Sequence, residues 1–455
     1  MALMSWPHSH KRKSVALISY GCAKNLVDSE VMLGYLSGAG YAILPEPEKA
    51  DVVILNTCGF ITPAREEAAR AIEDALSLKK RKKRPLVVAA GCYVERYKNS
   101  LEQAFPEVDI WLGVKDYDKI VQAIEGKPFR AGRRTFLCSH TTPRLLSTPS
   151  SWAYIKISEG CSHKCSFCAI PLIKGPYRSR PIDSIIEEAR QLVHLGVREI
   201  NLISQDTTSY GRDRGMKNGL AKLLEKLSSL PRLGWIRILY GYPEEISINL
   251  LDVMTATKIC SYFDLPFQHA DPSILKVMGR SMDSRRAMAL LDRIRSRVSD
   301  ASIRTSLIVG FPGEGKREFL RLKDFVREAR FDHLGVFTYS PEEGTPAFRL
   351  GDPVAEGVKI RRQQEIMDLQ AEISFANNKR YLGQRVDVLI ESTSPSAFLR
   401  RDGLALRGRG RFQAPEVDGV IYVRAPSPCG RRLRVIEKVE ITAVDVYDLH
   451  GMISR

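Results

Sequence analysis

The chain has 455 residues, with 69 lysines and arginines against 53 aspartates and glutamates, and a formal net charge of +16. This length is too great for a single hydrophobic core and predicts about three domains. No uninterrupted apolar stretch approaches the roughly 20 residues of a membrane-spanning helix, which argues against an integral membrane protein. The basic charge favours an acidic partner, most often nucleic acid or a ribonucleoprotein.

The start of the chain, Met1 to Ser14, carries basic side chains but no apolar run after them. This is not the pattern of a secretory signal peptide, so we expect a cytoplasmic protein with no membrane partner. In that reducing compartment the nine cysteines are more often metal ligands or free thiols than disulfides.

Three short apolar runs in the predicted N-terminal domain, residues 13–125, each end in a cysteine. Segments with helical patterns follow them, which predicts an open parallel α/β sheet. Because the carboxyl ends of parallel strands share one edge, Cys22, Cys58 and Cys92 should converge there. They then predict a metal cluster with one open iron, the alternative being three buried cysteines with no joint role. The strands are Val15–Cys22, Asp51–Cys58 and Pro85–Cys92, and the helices are Ser29–Ala39, Pro63–Leu78 and Glu95–Phe105.

Two further segments of this half of the chain carry charge or turn residues. The basic run Lys79–Arg84 ends the second predicted helix. It is either a solvated run that complements the helix dipole or a contact for phosphate backbone. Residues 126–150 are rich in Pro, Ser, Thr and Arg and predict a linker, in which Cys138 has no predicted role.

Six strand-like runs, each followed by a helical segment, occupy residues 151–380. This alternation predicts a partial parallel (β/α)6 barrel whose chemistry lies at the carboxyl ends of the strands. The strands are Trp152–Ser158, Val197–Ser204, Gly234–Tyr240, Tyr262–Pro266, Ser302–Gly310 and Leu334–Tyr339. The helices are Ile182–Leu195, Leu220–Ser229, Glu244–Ala256, Ser284–Val298, Arg317–Ala329 and Ala355–Asn378.

Cys161, Cys165 and Cys168 lie within eight residues, on the loop after the first strand of this barrel. Three thiolates can hold three corners of an iron–sulfur cube and leave the fourth iron open to an outside ligand. The alternative is a zinc site with His163 as fourth ligand, but zinc ligands usually come in two pairs set apart in sequence. We therefore expect a cluster, with His163 as a solvated spacer.

The spacing C-x3-C-x2-C after a strand resembles the signature loop of the radical S-adenosylmethionine enzymes. The resemblance implies that S-adenosylmethionine chelates the open iron. Polar and glycine residues that follow other strands are then candidate contacts to this cofactor, although each also fits an ordinary loop or turn. Glycine would let the adenosyl group approach the backbone closely. The candidates are Ser204, Gln205, Gln268, Gly310, Gly313 and Glu314, with Asp206 and His269 beside them.

The last part of the chain, residues 381–450, changes to β-rich runs with turn signals. This pattern predicts a small antiparallel β-barrel, a type that often holds nucleic acid or a protein surface. Cys260 and Cys429 lie outside both trios and are interpreted as free thiols.

The three-cysteine α/β domain, radical barrel and β-barrel tail together resemble the methylthiotransferases over nearly the whole chain. The tail would then be a barrel of the TRAM or OB-like type. The resemblance implies two 4Fe–4S clusters, an auxiliary one held by Cys22, Cys58 and Cys92 and a radical one held by Cys161, Cys165 and Cys168. No catalytic residue beyond these cluster ligands is expected.

Four segments resemble the bacterial RimO type of this family: Ile203–Gly211, Phe263–His269, Tyr339–Thr345 and Ala414–Gly419. That type adds a methylthio group to the β-carbon of an aspartate in ribosomal protein S-twelve. The resemblance implies this protein as partner, together with an electron donor such as flavodoxin or ferredoxin. A slightly basic tail is unexpected for contact with a basic ribosomal protein, and it leaves room for contact with RNA.

Two other functions remain open at this point. One is methylthiolation of a tRNA adenosine, as in the related MiaB type. The other is a non-catalytic iron–sulfur or zinc module that binds ribosomes. Formation of 5′-deoxyadenosine under reductant separates the enzyme from the binding module, and the identity of the methylthiolated substrate separates the two enzymes.

Overall fold

The computed structural model describes residues 13–80, 84–393, 404–425 and 433–453. Cys429 and residues 81–83 of the basic run lie outside these ranges. The chain forms two compact units, one from Met1–Ser147 with Leu172–Gly175 and the other from Thr148–Pro171 with Pro176–Arg455. Within the described ranges, no helix combines the length and the apolar character that crossing a bilayer requires.

The first unit contains a five-stranded sheet with the order β2-β1-β3-β4-β5, and all its neighbouring strands are parallel. The predicted open α/β sheet is therefore confirmed. The edge strands β2 and β5 and the helix α4 were not predicted, because each is too short to show a period. The strands are β1 (Ser14–Ser19), β2 (Ala42–Ile43), β3 (Val52–Thr57), β4 (Leu86–Gly91) and β5 (Ile110–Leu112). The helices are α1 (Ala23–Gly38), α2 (Thr62–Leu78), α3 (Cys92–Ala104) and α4 (Ile120–Ile124).

Burial explains why the two central strands read as continuous apolar runs. All six residues of β3 and five of the six residues of β4 are buried. Helices cover both faces of a parallel sheet, so neither face of these strands alternates with polar residues. Val53, Leu55, Val87 and Ala89 share one apolar cluster with Ile72 of α2.

The second unit contains six parallel strands in two sheets, ordered β10-β9-β6 and β11-β12-β13. The sheets meet at a single parallel bridge between Ile236 and Ile259, so the strands form a partial barrel as predicted. A two-stranded ribbon, β7 (Ser158–Glu159) with β8 (Arg178–Ser179), flanks the cysteine loop. The barrel strands are β6 (Trp152–Lys156), β9 (Glu199–Ile203), β10 (Trp235–Ile238), β11 (Tyr262–Asp264), β12 (Ser302–Val309) and β13 (His333–Thr338).

Six helices accompany these strands near their predicted positions, and two shorter ones were missed. The helix Pro272–Met278 was missed although Asp271 caps it and Pro272 begins it. An Asp-Pro start is a readable helix signal, but seven residues are too few for a clear period. The helices are α5 (Ile170–Lys174), α6 (Ile182–His194), α7 (Gly219–Ser228), α8 (Ile248–Met254), α9 (Pro272–Met278), α10 (Ser284–Arg297), α11 (Lys316–Ala329) and α12 (Glu356–Asn378).

The C-terminal strands close into a barrel with the order β14-β15-β16-β18-β17. The predicted small antiparallel β-barrel is confirmed, with one exception: β16 and β18 pair in parallel. A closed ring with an odd number of strands cannot be antiparallel throughout, so at least one pair must be parallel. The strands are β14 (Arg385–Thr393), β15 (Leu404–Gly410), β16 (Ile421–Ala425), β17 (Ile436–Val444) and β18 (Leu449–Met452).

The segment 409–418 of this small barrel contacts the amino ends of the partial-barrel strands. Arg409 and Arg237 hold Glu199 between them, at 2.5 and 2.8 Å. Asp418 accepts hydrogen bonds from Tyr262 at 2.6 Å and from Arg304 at 2.7 Å. The C-terminal barrel is therefore fixed at the end of the central barrel opposite to the cysteine loop.

Candidate functional site

The cysteines of the first unit lie at the carboxyl ends of its three central strands. Cys58 and Cys92 directly follow β3 and β4, and Cys22 follows β1 and precedes α1. Gly21 lets Cys22 and Cys58 lie close together, since a Cβ added to Gly21 would lie 3.2 Å from the Cys58 sulfur. Gly21 also has a φ of 94°, which side chains disfavour. The three cysteines therefore lie at the same edge of the sheet, as the sequence analysis expected.

Asn25, which the sequence analysis missed, connects these three strand ends. Its amide nitrogen donates to the carbonyls of Tyr20 and Thr57, both at 3.1 Å. Its amide oxygen accepts from the Cys92 thiol at 3.5 Å. Asn25 is buried, and its spacing of three residues after Cys22 in the first turn of α1 was the available signal.

The thiols of this trio differ in their surroundings. Burial raises the pKa of Cys58 to about 11 and that of Cys92 to about 12. Desolvation also acts to raise the pKa of Cys22, but the Lys24 ammonium and backbone N–H groups at the start of α1 lower it overall. Iron binds the thiolate form, so a thiol with a raised pKa must lose its proton when the metal binds.

Hydrogen bonds to the last residues of α9 hold the cysteine loop of the second unit in place. The backbone N–H of Ser166 donates to Met278 at 2.9 Å, and its hydroxyl donates to Val277 at 2.7 Å. The N–H of Cys168 donates to Cys165 at 3.2 Å, which closes a turn between the last two cysteines. Main-chain contacts therefore fix the loop, and its three cysteines remain half-buried.

His163 is not the solvated spacer that the sequence analysis expected. Its Nε2 lies 2.6 Å from Asp206, and its ring stacks on Tyr242 with the ring centroids 3.8 Å apart. Arg280 covers the same tyrosine, 4.1 Å from the ring centroid. The stack supports the loop between Cys161 and Cys165, and only the tertiary structure brings these residues together.

Asp206 has two roles, one of which the sequence suggested. It accepts hydrogen bonds from Thr208 and Ser209 and so builds the turn after β9. Burial acts to raise the pKa of Asp206, but hydrogen bonds from His163, Ser209 and Thr208 lower it overall. The carboxylate is therefore ionised when it positions His163.

Two thiols of this second trio, those of Cys161 and Cys168, have pKa values that the protein raises. Burial raises the pKa of Cys161 to about 11 and that of Cys168 to about 12. Among the described residues, no three His, Cys, Asp or Glu side chains are arranged to hold a single metal ion. A cubane does not need such an arrangement, since each thiolate binds a different iron.

Ser204 and Gln205 follow β9 and carry buried polar atoms that have no hydrogen-bond partner among the described residues. These atoms are the Ser204 hydroxyl and the Gln205 Oε1. The other end of the Gln205 amide donates to Glu159 at 2.8 Å, and Glu159 also binds Lys156 at 2.8 Å. Glu159 directly precedes Gly160 and Cys161, so this polar group adjoins the cysteine loop. Buried orphan atoms of this kind suit a polar ligand.

The remaining candidates fall into a second group beside β12. Gln268 has a φ of 72° and exchanges backbone hydrogen bonds with β12, to Ser306 at 2.9 Å and from Ile308 at 2.7 Å. Glu314 is buried, where it accepts from the Gly310 N–H at 2.9 Å and from Arg362 at 2.6 Å. His269 lies 3.0 Å from the same carboxylate.

The glycines of this group have different reasons for being glycine. A Cβ added to Gly310 would lie 2.4 Å from the Lys359 side chain, so a neighbouring residue fills that space. The expected reason, close approach of a cofactor, is therefore not needed there. At Gly313 the φ of 93° is the constraint, because its added Cβ meets only Ile274 at 3.6 Å.

Three family models match successive parts of the chain. The uncharacterized protein family UPF0004 matches residues 14–113, the radical SAM superfamily matches residues 155–326, and the TRAM domain matches residues 382–453. The first match covers the sheet of the first unit and the third covers the closed five-stranded barrel, whereas the second ends within α11, before β13 of the partial barrel.

Curated relatives match over nearly the full length. The ribosomal protein uS12 methylthiotransferase RimO of Aquifex aeolicus is 44% identical over 440 residues, which cover 96% of each chain. The protein of the same name from Geobacter sulfurreducens is 42% identical over 452 residues, 98% of this chain and 99% of its own. The chain belongs to the RimO family of radical S-adenosylmethionine methylthiotransferases. The cofactors of this family are S-adenosylmethionine and 4Fe–4S clusters.

Solved structures of lower identity share the fold. The radical S-adenosylmethionine methyltransferase TsrM from Kitasatospora setae, with tryptophan and a cofactor analogue bound, has a TM-score of 0.55 at 14% identity. The match covers 81% of this chain and 90% of that one. At this identity the likeness concerns the fold alone.

Proposed function

We propose that this chain transfers a methylthio group to the β-carbon of an aspartate in ribosomal protein uS12, in the cytoplasm. The observation that carries the proposal is the full-length identity of 41–44% to relatives named for this reaction, together with the two cysteine trios. In the first unit Cys22, Cys58 and Cys92 would hold the auxiliary cluster. In the second unit Cys161, Cys165 and Cys168 would hold the radical cluster.

The chemistry requires a cofactor because no side-chain acid or base removes hydrogen from an unactivated carbon. When bound, the radical cluster and S-adenosylmethionine would supply the hydrogen abstraction. The protein would bind and orient the cofactor and the substrate, and it would exclude water from the site. The Ser204 hydroxyl and the Gln205 Oε1 would bind the polar groups of the cofactor, since both are buried and none of the residues that the structure describes is their hydrogen-bond partner. The main chains of Gln268, Gly310 and Gly313 with Glu314 would form the other wall.

His163 and Asp206 would position the cysteine loop and do not react themselves. The 2.6 Å contact between them and the stack on Tyr242 fix the loop between Cys161 and Cys165. An external one-electron donor, such as a flavodoxin or ferredoxin, would reduce the radical cluster.

The test is anaerobic reconstitution with iron and sulfide, followed by incubation with S-adenosylmethionine, a reductant and either uS12 or tRNA. We expect the mass of one methylthio group on the uS12 aspartate, and 5′-deoxyadenosine as co-product. A methylthio group found only on tRNA adenosine would overturn the assignment of the substrate. If a protein that carries iron for two clusters forms no 5′-deoxyadenosine, the assignment of a radical S-adenosylmethionine activity is wrong.

A further inference from the structure

A basic cavity lies in the first unit, beyond the residues that the UPF0004 model matches. Its volume is about 550 Å³. Five cationic side chains line it, and Asp118 is the acidic residue of the lining. The cations are Lys115, Lys119, Arg130, Arg133 and Arg134. Residues 130–134 lie between the UPF0004 match and the radical SAM match.

The charge of the cavity comes from its arginines. Lys115 is paired with Glu95 at 2.6 Å and Lys119 with Asp118 at 2.8 Å, so acidic neighbours offset both lysines. Arg130, Arg133 and Arg134 are exposed, and no acidic side chain in the described part of the chain pairs with them. Three guanidinium groups within five residues thus face solvent.

The segment that carries these arginines is fixed to the rest of the unit. The N–H of Gly132 donates to Asp116 at 2.6 Å, and the N–H of Phe136 donates to Val114 at 3.0 Å. The Thr135 hydroxyl donates to Lys174 at 2.8 Å. The arginines therefore stand on a backbone that is already ordered, which lowers the entropic cost of binding an anion.

Aromatic rings accompany the charge. Phe136 lines the cavity, and Phe129, directly before Arg130, is 37% exposed. Guanidinium groups bind phosphate oxygens in a bidentate manner, and aromatic faces stack on unpaired bases. A basic groove with adjacent aromatic rings is the arrangement that binds single-stranded nucleic acid.

We propose that this cavity binds the phosphate backbone of unpaired RNA. The inference rests on the proposed function and extends it: uS12 is a ribosomal protein, so the RNA is ribosomal and the enzyme acts on the protein within a ribosomal particle. The arginine segment anchors that particle through its RNA. Free uS12 does not use the cavity.

The first experiment measures binding of the holoenzyme to a fluorescein-labelled, mixed-sequence single-stranded RNA across a series of KCl concentrations. The variant Arg130→Glu/Arg133→Glu/Arg134→Glu should bind the RNA at least about tenfold more weakly. The negative slope of log K against log salt should become shallower by about 2, because three phosphate contacts are lost. The matched control, Arg285→Glu/Arg293→Glu/Arg361→Glu, makes the same charge change at three exposed arginines of α10 and α12. It should bind as wild type does.

The second experiment compares methylthiolation of free uS12 with that of small ribosomal subunits. The triple variant should lose modification of subunits while it modifies free uS12 and keeps its cluster iron. RNA binding equal to wild type would overturn the proposal, as would an equal loss in the control variant. Inhibition by inorganic phosphate at matched ionic strength, without RNA affinity, would identify a small-anion site instead. If wild type binds RNA but modifies neither substrate, the proposed function fails and the RNA site stands.

Discussion

The two ends of the central barrel differ in how their buried polar groups are satisfied. At the amino end, Glu199 is fully buried between two arginines, and Asp418 accepts from a tyrosine and a third arginine. At the carboxyl end, the Ser204 hydroxyl and the Gln205 Oε1 are buried with no partner among the described residues. The buried charges at the amino end are paired within the chain, whereas the carboxyl end has polar atoms that a ligand could bind.

This difference indicates which charges are structural and which belong to the chemistry. A buried ion pair destabilises strongly when one member is removed, because the other charge stays buried and alone. Unpaired polar atoms at a ligand site cost stability in the absence of the ligand and are tolerated for function. Substitutions at the amino end should therefore change unfolding, and substitutions at the carboxyl end should change cofactor chemistry.

The largest expected effect is at the carboxyl end. Replacing Cys161, Cys165 and Cys168 together with alanine should abolish cleavage of S-adenosylmethionine and remove about half of the bound iron. The measurement is 5′-deoxyadenosine by chromatography beside iron per chain, and the alanine triple at Cys22, Cys58 and Cys92 is the control. That control should still form 5′-deoxyadenosine but transfer no sulfur. Cleavage at the wild-type rate in the first variant would contradict the assignment of this loop.

The amino end predicts the next effect. Glu199→Ala leaves Arg237 buried without its carboxylate, while Arg409 keeps Glu391 at 2.6 Å. The unpaired buried charge should lower the free energy of unfolding by about 3–5 kcal/mol. Denaturant unfolding checks this, with Glu225→Ala on the exposed face of α7 as the matched control. The control should stay within about 0.5 kcal/mol of wild type. A Glu199 variant as stable as the control would show that this ion network does not stabilise the amino end of the barrel.

Acid should loosen the amino end as well. Burial acts to raise the pKa of Glu199, but Arg409 and Arg237 lower it overall; His333, Arg304 and Tyr262 lower the pKa of Asp418 against the same opposing burial. A carboxylate with a lowered folded pKa contributes stability above its unfolded pKa of about 4, and this contribution is lost as the pH falls through the folded value. Thermal unfolding from about pH 7 to pH 3 should therefore show a steep acid decline that is shallower in Glu199→Gln. Identical pH profiles would contradict it.

The smallest effect is expected at His163. His163→Ala removes a stacked ring, worth about 0.5–1.5 kcal/mol, and one hydrogen bond to Asp206. We expect faster loss of iron to a chelator and slower cofactor cleavage, with little change in overall unfolding. His163→Gln keeps a hydrogen-bond donor but not the ring, so it should recover part of the lost iron retention. Iron retention equal to wild type in the alanine variant would show that the stack does not support the loop.

The second cysteine trio was readable from the sequence because its information is local. Three thiols within eight residues after a strand define a loop whatever surrounds it. The first trio, with separations of 36 and 34 residues, was also predicted, but only through a rule about parallel sheets. Asn25 was missed because its contacts to Thr57 and Cys92 cross between strands that are far apart in sequence.

The sequence by itself determined the longer strands and helices of the parallel sheet and the partial barrel and the spacing of the two cysteine trios, since periodicity and spacing are properties of neighbouring residues. Tertiary structure alone decided the partner of His163, the reason for Gly310, and the docking of segment 409–418 at the amino end of the barrel. Each of these depends on side chains from distant segments that pack in one place. Local sequence patterns do not show these contacts, because their free energy depends on residues that come together only in the tertiary structure.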